Sequence, residues 1–186
     1  MSAARATRAT RPTRAVALLR AVNVGGRTVR MEALRAVCVG EGLSGVSTLI
    51  ASGNVLFDLA GPAAAVESRL EGAFARAFGF EVATFIRTAA EVDDVIAGAP
   101  DGTGMHAVHA GVLKRAPSAE QRAATLALAT PDDLLHLSGR TLYWTVRHST
   151  ANSKLTMPRL EKALGGPVTF RNLKTYARLS ALLAGG

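Results

Sequence analysis

Ala15-Val16-Ala17-Leu18-Leu19-Arg20, then Ala21-Val22-Asn23-Val24-Gly25-Gly26-Arg27, is the stretch whose reading decides the fold. The first six residues form a short apolar run, as expected of a strand buried on both faces. The next seven carry a glycine pair and read as a loop. Met31, Leu34 and Cys38 then recur at i, i+3 and i+7, so a helix is predicted over 31–39, with Gly42 as its stop. Residues 46–51 and 55–59 are β-rich runs flanking Ser52-Gly53-Asn54, a tight-hairpin signal because Gly and Asn tolerate positive φ. Gly61-Pro62 opens a second helix, whose buried side is Val66, Leu70, Phe74 and Ala77. Residues 82–87 form a fourth strand.

The resulting order, β-α-β-β-α-β, is the ferredoxin-like arrangement. Right-handed crossovers leave an antiparallel four-stranded sheet with two helices on one face. Thr88-Ala89-Ala90-Glu91 is a capping box that opens a further helix. Residues 98–104 hold Pro100, Asp101, Gly102 and Gly104 and form the best internal linker. Beyond it the pattern repeats. A strand is predicted over 106–114, then a helix from the Ser118-Ala119-Glu120-Gln121 capping box to about 129. A hairpin follows around Ser138-Gly139-Arg140, then a helix capped by Thr156 and bearing Met157, Leu160 and Leu164. Residues 167–170 make a short strand, and Asn172 caps a last helix. The fold class is therefore α+β: two ferredoxin-like halves with antiparallel sheets, plus a C-terminal helix. The halves are 15–97 and 98–186, packed as one compact unit, and no strong residue-level repeat links them.

Composition narrows the function. An apolar fraction of 48% excludes wholesale disorder. No apolar run reaches the length needed to span a bilayer, and the N-terminus has no signal core. The single cysteine, Cys38, cannot form an internal disulfide, which fits a cytoplasmic setting. The net charge of +8 is uneven. Residues 1–14 carry four arginines and no acid, and read as a disordered tail, with a transit peptide as the alternative. Residues 139–186 carry eight bases against Glu161 alone.

Chemistry is expected at one place. In a ferredoxin-like half, strands one and two run parallel with strand three between them. The loop after strand one and the hairpin between strands two and three thus share one sheet edge, about two strand spacings of ~4.8 Å apart. This brings Arg20, Asn23, Gly25, Gly26 and Arg27 towards Ser52, Gly53 and Asn54. The first helix also starts there, and its N-terminus suits an anion. Asn-Val-Gly-Gly is neither a P-loop nor a dinucleotide fingerprint, so the motifs name no cofactor. His106 and His109 point to opposite faces of a strand, and His136 and His148 have no Cys/His cluster beside them, so a metal site is not expected. Ser153 reads as a helix-start residue, not as half of a dyad with Lys154.

Taken together these residues resemble the domain-of-unknown-function 1697 family, found widely in bacteria. Arg20-Ala21-Val22-Asn23-Val24-Gly25-Gly26 looks like its Arg-Gly-Ile-Asn-Val-Gly-Gly opening. Ser52-Gly53-Asn54 matches its second block. Ser153-Lys154-Leu155, Leu160-Glu161-Lys162 and then Arg171-Asn172 resemble its C-terminal segment. The chain departs at Ala21, where the family usually has Gly, and at Ala51, usually Gln. Leu173 and Lys174 stand where Trp and Asn are frequent. The resemblance implies a two-part α+β fold and no activity, and it adds Arg171 and Asn172 to the candidate ligand-binding residues.

Three function classes follow. The leading one is a binding module for a small anionic or phosphate-bearing ligand at the first sheet edge. The second is nucleic-acid binding through the tail and C-terminal bases, expected to be weak because aromatics are 5% of residues and the bases are scattered. The third is an enzyme using the same edge, for which no general base is evident.

Overall fold

β1 (Thr13–Leu19) is the centre of the first half and shows why its sequence is continuously apolar. Ala15, Ala17 and Leu19 face one core, Val16 and Leu18 another, and all five are buried. The computed structural model describes residues 12–23, 28–49 and 53–185. β1 pairs antiparallel with β3 (Asn54–Leu59) and β4 (Thr84–Thr88), and β2 (Ser44–Leu49) pairs with β3. The sheet order is β2-β3-β1-β4. α1 (Met31–Gly40) and α2 (Ala63–Phe78) cover its outer face through Leu34, Cys38, Val66, Leu70 and Phe74.

The second half repeats this plan. β5 (Ala107–Leu113) is central, with β7 (Thr141–Val146) and β8 (Val168–Asn172) beside it and β6 (Asp133–Ser138) outside β7. α4 (Ala119–Leu126) and α5 (Met157–Leu164) cover its outer face. α3 (Ala89–Ala97) and α6 (Leu173–Ala184) fill the space between the sheets. Val92, Val95, Tyr176, Leu179 and Leu183 meet Val16, Leu18 and Phe85 of one sheet and Ala110, Val112 and Tyr143 of the other. The layers run α1/α2, first sheet, α3/α6, second sheet, α4/α5.

Each half ends in a strand running straight into a helix, so α6 is the counterpart of α3, not an appendage. The ladder registers match as well. Leu18 lies opposite Asn54 as Val112 lies opposite Thr141, and Leu19 opposite Thr84 as Leu113 opposite Val168. The β4 edge is closed by carboxylates from α2. Ile86 N donates to Glu67 Oε1 at 2.7 Å and Thr84 N to Glu71 Oε1 at 2.8 Å. Glu161 of α5 accepts likewise from Val168 N at 3.2 Å. These glutamates fill what would otherwise be open strand edges.

Element boundaries differ from expectation in small ways. β1 starts at Thr13, because Arg14 donates to Gly45 O at 2.7 Å and to Asp58 at 3.2 Å. Thr13 and Arg14 thus belong to the first half, while 1–11 lie outside the described residues. Both capping boxes form, at Thr88 and at Ser118. Thr156 sits at the N-cap of α5 but makes no side-chain cap. No helix of the described residues is long and apolar enough to cross a membrane.

Candidate functional site

The end of β1 and the start of β3 do meet at one sheet edge. Leu19 N donates to Gly53 O at 2.8 Å. Gly53 has φ +75, and a Cβ there would come within 3.1 Å of Leu19 Cβ, so the hairpin needs glycine for both conformation and space. Asn54 is fully buried and donates to Leu49 O at 3.1 Å, closing the hairpin from inside.

Arg171 reaches this edge from β8 of the other half. Its Nε donates to Asn54 Oδ1 at 2.8 Å, and Nη2 to Leu19 O at 2.9 Å and Gly53 O at 3.3 Å. Nη1 donates to Phe170 O at 2.8 Å and Thr169 Oγ1 at 3.0 Å. A guanidinium has five N–H donors, and all five are engaged. Burial lowers its pKa from the ordinary arginine value. Arg171 is therefore a clamp between the halves as well as a cation beneath the edge.

The other candidate residues separate. Arg20 turns to Glu161, with Nε 2.7 Å from Oε1 and Nη2 2.9 Å from Oε2. Asn23 Oδ1 accepts from Val29 N at 2.7 Å, tying the end of the turn to the approach of α1. Asn172 caps α6, accepting from Thr175 N at 2.8 Å. Gly25, Gly26, Arg27 and Ser52 lie outside the described residues. Ala21 has φ 55, the left-handed region, and is the one non-glycine there among the described residues. α1 begins with Arg30 at its N-cap and no side-chain cap.

The family model of a protein of unknown function, DUF1697, matches residues 13–143. The chain belongs to the DUF1697 family. No curated protein matches it. Among solved structures it is similar to the conserved bacterial protein SP0830 from Streptococcus pneumoniae, at 23% identity and a TM-score of 0.73. That match covers 93% of this chain and 99% of the other. At this identity the likeness carries the fold.

This DUF1697 member holds a set of crossed contacts that sequence reasoning missed. Arg87 of β4 donates to Leu113 O at 2.6 Å, as Arg171 does to Leu19 O. Lys114 lies 2.6 Å from Glu71 and 3.4 Å from Glu67, as Arg20 lies against Glu161. The signal in the sequence was the pair Arg87-Thr88 and Arg171-Asn172, each an arginine immediately before a helix cap. Ser153 Oγ donates to Asp133 at 2.8 Å and accepts from Leu155 N at 2.9 Å, so it braces the approach to α5 and is not paired with Lys154.

Proposed function

We propose that the protein is a binding module for a small anionic, phosphate-bearing ligand where β1 ends, β3 begins and α1 starts. The observation that carries this reading is the start of α1. Its N-cap residue, Arg30, makes no side-chain cap to the first N–H groups, and the positive helix end carries one acid in its first turn, Glu32. Asn23 draws the turn after β1 to Val29, within two residues of α1. Arg30 is exposed beside it, and the Arg171 cation lies below the hairpin. The left-handed Ala21 adds local strain of the kind that accumulates at ligand sites. A cytoplasmic setting belongs to the same proposal.

Calorimetric titration with inorganic phosphate at low salt tests it. Arg30→Glu is expected to weaken phosphate binding at least about tenfold, the effect of replacing an attracting charge by a repelling one. Arg159→Glu, on α5, leaves it unchanged. Equal affinity in Arg30→Glu and the native chain refutes the site.

A further inference from the structure

Superposing the two halves by register shows where the second departs from the first. Arg87 corresponds to Arg171, Leu113 to Leu19, Thr141 to Asn54 and Phe85 to Thr169. Both arginines make the same two backbone bonds. Arg87 Nη1 donates to Ile86 O at 2.8 Å and Nη2 to Leu113 O at 2.6 Å, as Arg171 does to Phe170 O and Leu19 O. The side-chain acceptors that complete Arg171 are Asn54 and Thr169. For Arg87 the corresponding positions are Thr141 of the second half, to which it makes no hydrogen bond among the described residues, and Phe85 of its own strand, which has no acceptor. Arg87 makes no third hydrogen bond among the described residues, which leaves three of its five N–H donors unfilled. Yet its side chain is among the largest fully enclosed ones, at 2% exposure. Burial, then the neighbouring Arg140, lowers its pKa.

Arg87 also lines a cavity of about 420 Å³. Its other charged walls are Arg140, Glu91 and Asp94. Arg140 and Glu91 form an ion pair, and Glu91 additionally accepts from Thr88 N at 2.9 Å, so these two offset each other. Asp94 is exposed and its carboxylate makes no ion pair or hydrogen bond among the described residues. What remains is a buried cation short of acceptors and a free carboxylate at the rim. A lining with separated, balanced charges disfavours a multiply charged anion and matches a molecule that carries both signs.

We propose that this cavity binds a small zwitterion of the α-amino-acid type, with its carboxylate completing Arg87 and its ammonium group facing Asp94. The site differs from the phosphate edge in position, ligand charge and residues, and stands independently of it. Val95 and Tyr143, joined by the bond from Tyr143 Oη to Val95 O at 2.9 Å, complete the lining.

The test is a titration of the full chain followed by amide resonances in two-dimensional NMR. The probes are L-alanine, acetate, methylammonium and inorganic phosphate. L-Alanine is expected to shift Gly139, Arg140 and Val95 saturably. Acetate and methylammonium should bind there at least about tenfold more weakly, since each carries only one of the two charged groups. Thr141→Asn restores the acceptor that Asn54 gives Arg171, and should abolish the L-alanine response while amide dispersion reports an intact fold. Asp94→Asn, at an exposed position, should reduce L-alanine to the level of acetate. The proposal is overturned by no response to L-alanine up to its solubility limit, by equal affinity for acetate or phosphate at these amides, or by unchanged binding in a folded Thr141→Asn. Phosphate shifts confined to Gly53 and Val29 report the first edge and leave this outcome separate.

Discussion

Replacing Ala21 by glycine should make the protein more stable. Ala21 sits at φ 55, two residues past the end of β1. A left-handed conformation costs an L-residue about 1–2 kcal/mol, through contact of Cβ with the carbonyl oxygen. Glycine removes that cost. Against it stand the greater entropy of glycine in the unfolded chain, about 0.4–1 kcal/mol, and a half-buried methyl group worth about 0.4 kcal/mol. With the strain at its upper value the balance is about 0.5–1 kcal/mol in favour of Ala21→Gly. For a chain of this size that is a rise of about 1–4 °C in Tm. Urea unfolding should show a higher midpoint with an unchanged m value, because the exposed surface on unfolding is the same. Ala21→Val is the opposing control, since a β-branched residue tolerates left-handed φ less well than alanine. It should destabilise. A midpoint for Ala21→Gly below that of the native chain would refute the reasoning, as would a stabilising Ala21→Val.

Three further outcomes are expected. Arg171→Met removes five hydrogen bonds, of which the one to Gly53 O is backed by Leu19 N, and should cost at least about 3 kcal/mol at roughly 1 kcal/mol net per bond; Arg87→Met removes only two and should cost less, and chemical denaturation of the two variants checks the order. The Cys38 thiol is pushed up to about 12 by burial and then by Glu41. The unfolded thiol ionises near 9.0, so the contribution is intact below that pH and is lost as pH rises towards 12, at about 1.4 kcal/mol per pH unit. The native chain should lose stability over this range more steeply than Cys38→Ala, and parallel curves would sink the assignment. Finally, deleting residues before Pro12 should remove most binding to duplex DNA, and with it about 0.9 of the log–log salt slope for each phosphate that the tail neutralises. Tight, steeply salt-dependent binding that survives deletion would place nucleic acid ahead of a small anion.

Local signals carried most of the fold. The apolar run at 15–20, the stripe of Met31, Leu34 and Cys38, and the two capping boxes each follow from short-range stereochemistry, and each element stands where those residues put it. The shared edge at Gly53 was legible for the same reason, since it follows from strand order alone. The roles of the site residues were less so. Arg171 binds Asn54 across 117 positions, and Arg20 meets Glu161 across 141. No periodicity reports such a pairing. Glu67 reads as an ordinary helix-face acid, yet it is 6% exposed and caps the backbone of β4. The repeat between halves is faint in the sequence because it is kept in register and in a few polar side chains, while the apolar residues around them have diverged.

The crossed contacts have a consequence for assembly. Arg87 reaches Leu113 O and Arg171 reaches Leu19 O, while Lys114 meets Glu71 and Arg20 meets Glu161. Such reciprocity is the signature of an isologous interface, in which one surface patch contacts its own copy across a two-fold axis. Here both copies are carried on one chain. The second half carries only part of the set by itself: Leu113 and Lys114 correspond to Leu19 and Arg20, but Thr141 stands where Asn54 completes Arg171. Produced alone, it would expose Glu161 and the donors of Arg171 that now meet Leu19 O, Gly53 O and Asn54 Oδ1. The linker at 98–104 makes the association of the two halves intramolecular, with the gain in effective concentration that tethering brings.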